Sequence, residues 1–210
     1  GIEHSGRYVF GRLWRGLSVN ASADAAGRLR RLPSVRRVFP GVPMALAPVE
    51  SASPELAHAL AMTGADQAQD AGWTGVGVKV GVMDTGIDYH HPDLGGGFGA
   101  GFRVVTGYDF VGDRYDASGS GGALIPHPDK NPDDCNSHGT HVAGIIGASG
   151  NPAVGGARGV APGVTFGAYR VFGCDGSTSA DIMIAAMERA HADGMQILNI
   201  SIGSAFQTWP

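Results

Sequence analysis

Asp84 and His138 are the residues of this chain whose type and setting are best suited to chemistry. Asp84 ends the apolar run 78–83 and is followed by Thr85 and Gly86; His138 lies 53 intervening residues later and opens a run of small and apolar residues, Gly139-Thr140-His141-Val142-Ala143-Gly144. A carboxylate and an imidazole that meet in space make an acid–base pair. The carboxylate orients the ring and stabilises its cation, and the ring can then take a proton from a serine hydroxyl. His138 and His141 also offer two imidazoles, which could hold a zinc ion. Their i, i+3 spacing carries no intervening Glu, unlike the helical His-Glu-x-x-His zinc arrangement. A metal-dependent hydrolase is therefore the remote alternative.

The elements that must position these groups are readable from pattern. Residues 78–83 are Val-rich and mostly apolar on both faces, as in a buried parallel strand. Asp84 then falls at the C-terminal end of the strand, where open α/β sheets place their sites. The segment from His138 reads as a buried helix of little side-chain bulk, packed close to the sheet. Residues 103–111 suggest a further strand, and 62–72 a short helix leading to the Asp84 strand. The helix over 179–194 carries Ile182, Ala185, Ala186, Met187 and Ala190 at core spacing.

Together the phrases around Asp84 and His138 resemble the Asp and His motifs of the subtilisin-like serine proteases, the subtilases. Gly159-Val160-Ala161-Pro162, Ala168-Tyr169-Arg170-Val171-Phe172 and Ile197-Leu198-Asn199-Ile200-Ser201-Ile202-Gly203 extend the resemblance, in the family's order, over residues 62–203. The resemblance implies an α/β fold, a parallel sheet sandwiched by helices, and a secreted, extracellular serine endopeptidase acting on protein or peptide substrates. Asp84 and His138 would be two of three catalytic residues. No Gly-Thr-Ser-Met-Ala-like phrase occurs up to Pro210, so the nucleophile is expected beyond that residue, and the 210-residue chain alone is expected to be inactive. Gly176, Ser177, Ser201, Ile202 and Gly203 would offer backbone groups to an extended substrate by strand addition. The length between Asp84 and His138 resembles the larger multidomain subtilases, some of which carry a protease-associated domain after the Asn199 strand. A non-catalytic binding module, or an inactive protease fragment, is the other reading.

The resemblance also organises the first residues. Leu17 and Val19 alternate as in a strand. Ser22 can cap a helix over 23–32 that Pro33 ends, and Val42, Met44 and Leu46 alternate in a second strand. This resembles the second half of a subtilase propeptide, a small open sheet covered by helices; a generic α+β module is the alternative. The expected division is a partial propeptide at 1–47, a linker with a processing region at 48–61, and the first part of the catalytic domain at 62–210.

Charge fits that division. Residues 1–50 carry a net charge of +5 and residues 51–210 a net charge of −9. The basic residues are spread over helix and strand without an aromatic stacking platform, which argues against nucleic acid and for docking on an acidic surface of the same chain. No apolar run approaches the roughly twenty residues of a membrane span.

Cys135 and Cys174 are the only cysteines. In a secreted protein an even count favours a disulfide; two free buried thiols are the alternative. Both border the expected cleft. The chemistry implied requires no cofactor. Asp93 resembles a calcium ligand of some subtilases, with help from the loop around Asn151. Calcium needs about six or more oxygens, so a solvated or capping Asp is the alternative, and the metal content stays open. His90 and His91 read as surface residues, and His141 as a buried helix residue.

Overall fold

The computed structural model describes residues 2–46, 56–150 and 157–203. In chain order the strands are β1 (Ser5–Phe10), β2 (Gly16–Asn20), β3 (Pro43–Ala45), β4 (Lys79–Asp84), β5 (Val104–Asp109), β6 (Thr165–Arg170), β7 (Ser177–Ser179) and β8 (Ile197–Asn199). The helices are α1 (Ala23–Leu29), α2 (Leu56–Thr63), α3 (Ala65–Asp70), α4 (His138–Gly147) and α5 (Ala180–Ala192).

The centre is a four-stranded parallel sheet in the order β5-β6-β4-β8. Both faces are buried because successive side chains alternate and each face has its own helix. Val80 and Val82 of β4, with Phe166 and Ala168 of β6, pack with Val142 and Ala143 of α4. Met83 and Tyr169 point the other way, into a cluster with Ile182, Met183, Ala186 and Ala190 of α5. The expected α/β sandwich is thus present. Burying a Val- or Phe-sized side chain contributes roughly 1.5–3 kcal/mol, so these two clusters hold β4 firmly at the centre.

Two helix boundaries differ from expectation. The helix expected over 62–72 begins at Leu56, inside the segment expected as a linker, and is broken at Gly64 in the left-handed region (φ 72°). Residues 48–55 of that segment lie outside the described residues. α1 stops at Leu29, short of Pro33. A proline disfavours helical backbone in the residue before it, so the chain leaves the helix through turns rather than at the ring itself. Ser22 does cap α1, its Oγ accepting from the Ala25 N–H at 3.2 Å.

The N-terminal residues do not form one small sheet. β1 and β2 make an antiparallel hairpin, whereas β3 pairs antiparallel with β7, Met44 opposite Thr178. The hairpin lies against α5. Arg7 Nε meets Asp181 at 2.9 Å and Ser18 donates to the same carboxylate at 2.6 Å. Glu188 accepts from the backbone N–H groups of Gly11, Arg12 and Leu13 at 3.1, 2.8 and 3.1 Å.

Candidate active site

Asp84 is the last residue of β4 and is fully buried. His138 is the first residue of α4, its ring largely buried. The topology brings them together: His138 Nδ1 lies 2.6 Å from Asp84 Oδ1. The same oxygen accepts from the Thr85 N–H at 2.8 Å. Oδ2 is buried with no hydrogen-bond partner. Burial, the dominant influence, holds the Asp84 carboxyl above its ordinary range, while the bonds from His138 and Thr85 pull it back. A desolvated carboxylate of this kind is suited to polarise a ring that bonds it and to stabilise an imidazolium.

The approach is set by small residues and one acid. A Cβ on Gly139 would stand 2.1 Å from the Gly86 carbonyl oxygen, so only glycine lets the first turn of α4 reach the turn after Asp84. Ser137, just before His138, has φ 84°, an uncommon conformation for a residue with a side chain. Asp134 holds that turn. Its Oδ1 accepts from Thr85 Oγ1 at 2.9 Å and from the Asn136 and Ser137 N–H groups at 2.8 and 3.0 Å. Its Oδ2 accepts from the Thr140 N–H at 2.9 Å and from the Thr140 hydroxyl at 2.5 Å. Thr85 Oγ1 in turn accepts from the Gly139 N–H at 2.8 Å. One carboxylate therefore ties the Asp84 turn to the His138 turn. Asp134 was not among the residues expected to matter; its position four residues before His138, followed by Asn136 and Ser137, is the Asx-turn signal that marks it.

The residues expected to meet substrate lie at β7 and after β8. Gly176 (φ 95°) leads into β7, and a Cβ there would stand 2.6 Å from the Asp116 carboxyl carbon. Asp116 accepts from both the N–H and the hydroxyl of Ser177, and the Ser177 carbonyl accepts from the Ala117 N–H at 3.0 Å. The loop after β5 therefore backs β7 on one side, while β3 pairs with it. Ser201, Ile202 and Gly203 follow β8 outside regular strand. Ser201 Oγ accepts from Asn199 Nδ2 at 2.9 Å, and Ile202 packs on the α5 cluster.

Cys135 and Cys174 form a disulfide, joining the loop before His138 to the loop before β7. Asn136 Nδ2 donates to the Cys174 carbonyl at 2.9 Å across the same junction. His141, expected to be buried, is exposed on α4, because the small residues of the helix take the sheet-facing side. Among the described residues, no group of potential metal ligands contains His138 or His141; the group that gathers is Asp113 with the two bonded cysteines. Asp93 is buried and accepts from Ser149 Oγ at 3.0 Å, and its carbonyl accepts from Arg103 at 2.9 Å. Asn151 lies outside the described residues. No described helix is long and apolar enough to cross a membrane.

Comparison with known proteins places this geometry. The pattern of the Subtilase family matches residues 75–209. The minor extracellular protease Vpr of Bacillus subtilis (strain 168) is 34% identical over 204 residues, covering 92% of this chain and 23% of that protein. Alkaline serine exoprotease A of Vibrio alginolyticus is 33% identical, covering 93% of this chain and 33% of its own length. Subtilisin Savinase of Lederbergia lenta is 39% identical, covering 67% and 42%. The chain thus spans less than half the length of these relatives. With the family pattern running from just before β4 past β8, and a buried Asp84 bonded to His138 inside it, the chain belongs to the subtilase family of serine proteases.

Proposed function

We propose that the protein is a secreted serine endopeptidase whose acid–base pair is Asp84 and His138, with the nucleophilic serine and the oxyanion-hole asparagine supplied beyond Pro210. The observation that carries this reading is the 2.6 Å bond from His138 Nδ1 to a fully buried Asp84. With Nδ1 so engaged, Nε2 is the nitrogen left to take the serine proton as Oγ attacks the substrate carbonyl carbon. As the tetrahedral adduct collapses, the C–N bond breaks and Nε2 returns the proton to the leaving amine. Water then attacks the acyl-enzyme, Nε2 again taking and returning a proton. Asp84 stays ionised throughout and stabilises the imidazolium.

The substrate is an extended peptide added as a strand to β7, with Gly176, Ser177, Ser201, Ile202 and Gly203 as its backbone partners. Residues 1–47 act as an intramolecular propeptide. Two features support this: β3 already occupies β7 in antiparallel register, as a substrate strand would, and the β1–β2 hairpin is fastened to α5 by Asp181 and Glu188. The extracellular location is supported by the likeness to the minor extracellular protease Vpr of Bacillus subtilis. Calcium, if bound, plays no part in these steps.

The full-length protein is the material for the test. It should be labelled by a fluorophosphonate probe and hydrolyse a peptide ester, and His138→Ala should abolish both. The isolated 210-residue chain should do neither. Unlabelled full-length protein freed of residues 1–47 would reject the reading.

A further inference from the structure

Arg170, the last residue of β6, is buried in the junction between the His138 loop and the β7 loop. Its Nε donates to the Phe172 carbonyl at 3.1 Å and one terminal nitrogen to the Asp133 carbonyl at 3.2 Å. That nitrogen also faces Asp109 at 3.3 Å. The other terminal nitrogen donates to Asp113 at 2.9 Å and lies 2.9 Å from Cys135 Sγ and 3.6 Å from Cys174 Sγ. One guanidinium therefore touches the loop before His138, the loop after β5, the start of the β7 loop and both halves of the disulfide. A fixed fork of donors can do this; a single ammonium cannot.

The two loops are not equally held. The His138 turn is fastened separately, by Asp134 and Asp84. The turn through Cys174 depends on the Arg170 surroundings: its N–H bonds the Asp113 carbonyl, its carbonyl accepts from Asn136, and its sulfur is bonded to Cys135. We propose that Arg170, with the Cys135–Cys174 bond, is a positioning residue that sets the β7 edge relative to His138 and so governs the binding of extended peptides rather than the acid–base step. This rests on the proteolytic reading above for its kinetic consequence, though not for its structural one.

The test uses the full-length protein, Arg170→Met, Arg170→Lys and the double variant Cys135→Ala/Cys174→Ala. Two substrates separate the roles: a single-residue ester, and a peptide amide extending four residues before the scissile bond. For Arg170→Met we expect KM for the long peptide to rise about tenfold, the size of one lost charge-assisted hydrogen bond, with kcat for the short ester within about twofold of wild type. Arg170→Lys should fall between, and the double variant should show the same KM-selective loss. Hydrogen exchange should quicken over residues 173–179 and stay at the wild-type rate over residues 138–147. Equal losses on both substrates, unchanged KM, or faster exchange across both segments would overturn the proposal. Exchange needs no catalysis, so a wild-type protein without ester hydrolysis would reject the protease reading and still decide whether Arg170 sets the edge. If Arg170→Met is not secreted, the lysine and double variants carry both readouts.

Discussion

The Asp84–His138 region and the N-terminal hairpin are held by opposite means. Asp84 and its neighbours are buried between two apolar clusters, and His138 is aimed by a network of bonds that ties the turn after Asp84 to the turn before His138. The β1–β2 hairpin keeps Val9 and Leu17 exposed and meets α5 through Tyr8, which packs on the α5 cluster, and through polar and charged groups. A core of the first kind opens only with the fold. A polar contact of the second kind can release while both partners stay folded, since interfaces of this composition are of the transient type. The difference suits the proposed division into a rigid catalytic module and a removable cover.

The largest effects should come from the rigid side and touch chemistry without stability. In the full-length protein His138→Ala should lower turnover roughly a millionfold, the size known for the histidine of subtilisin itself; ester hydrolysis near wild type would break the assignment. Asp84→Asn should cost about 10⁴-fold by favouring the wrong tautomer, yet should melt no lower than wild type. The sign follows from burial. The Asp84 carboxyl sits above its ordinary value of 3.8 in the folded protein. Between that value and the raised one the folded state keeps a proton that the unfolded chain has lost, so the contribution of Asp84 to stability falls as pH rises through the window. Asparagine carries no such cost, so melting curves of the variant should gain on wild type as pH rises. A large loss of melting temperature at neutral pH would show that Asp84 is a structural ion pair instead.

Smaller effects should come from the cover and touch release without chemistry. Glu188 is held below its ordinary value of 4.5, first by the Arg12 N–H and then by its neighbours. Its contribution to docking is therefore present above that value and is lost as pH falls through the lowered one. Glu188→Gln should speed activation of the full-length protein at neutral pH and remove the acid dependence of release, with kcat of the activated enzyme unchanged. Activation kinetics followed with the peptide ester would check this, and an unaltered lag would break the comparison. The smallest effect belongs to Ser22→Ala, which removes the cap of α1 and should cost about 1 kcal/mol of local stability. Faster hydrogen exchange confined to residues 23–29 would confirm that the cover responds independently of the core.

What the sequence determined by itself was local: β4 and its terminal Asp84, α4 opening at His138, the cap at Ser22 and the opposite charges of the two regions. Each is written in short-range pattern, either apolar runs, small residues at close approaches or side chains that bond their own backbone. Only the tertiary structure decided which strand pairs with which. β3 alternates like any short strand, and nothing within Pro43–Ala45 specifies that it joins β7 rather than β2; a three-residue ladder takes its partner from the edge presented to it. The same holds for Asp116 beneath Ser177, Asp134 across Thr85 and Arg170 between two loops. Each acts on groups distant in sequence, so its partners exist only once the parallel sheet has brought separate loops to the same end of β4 and β6.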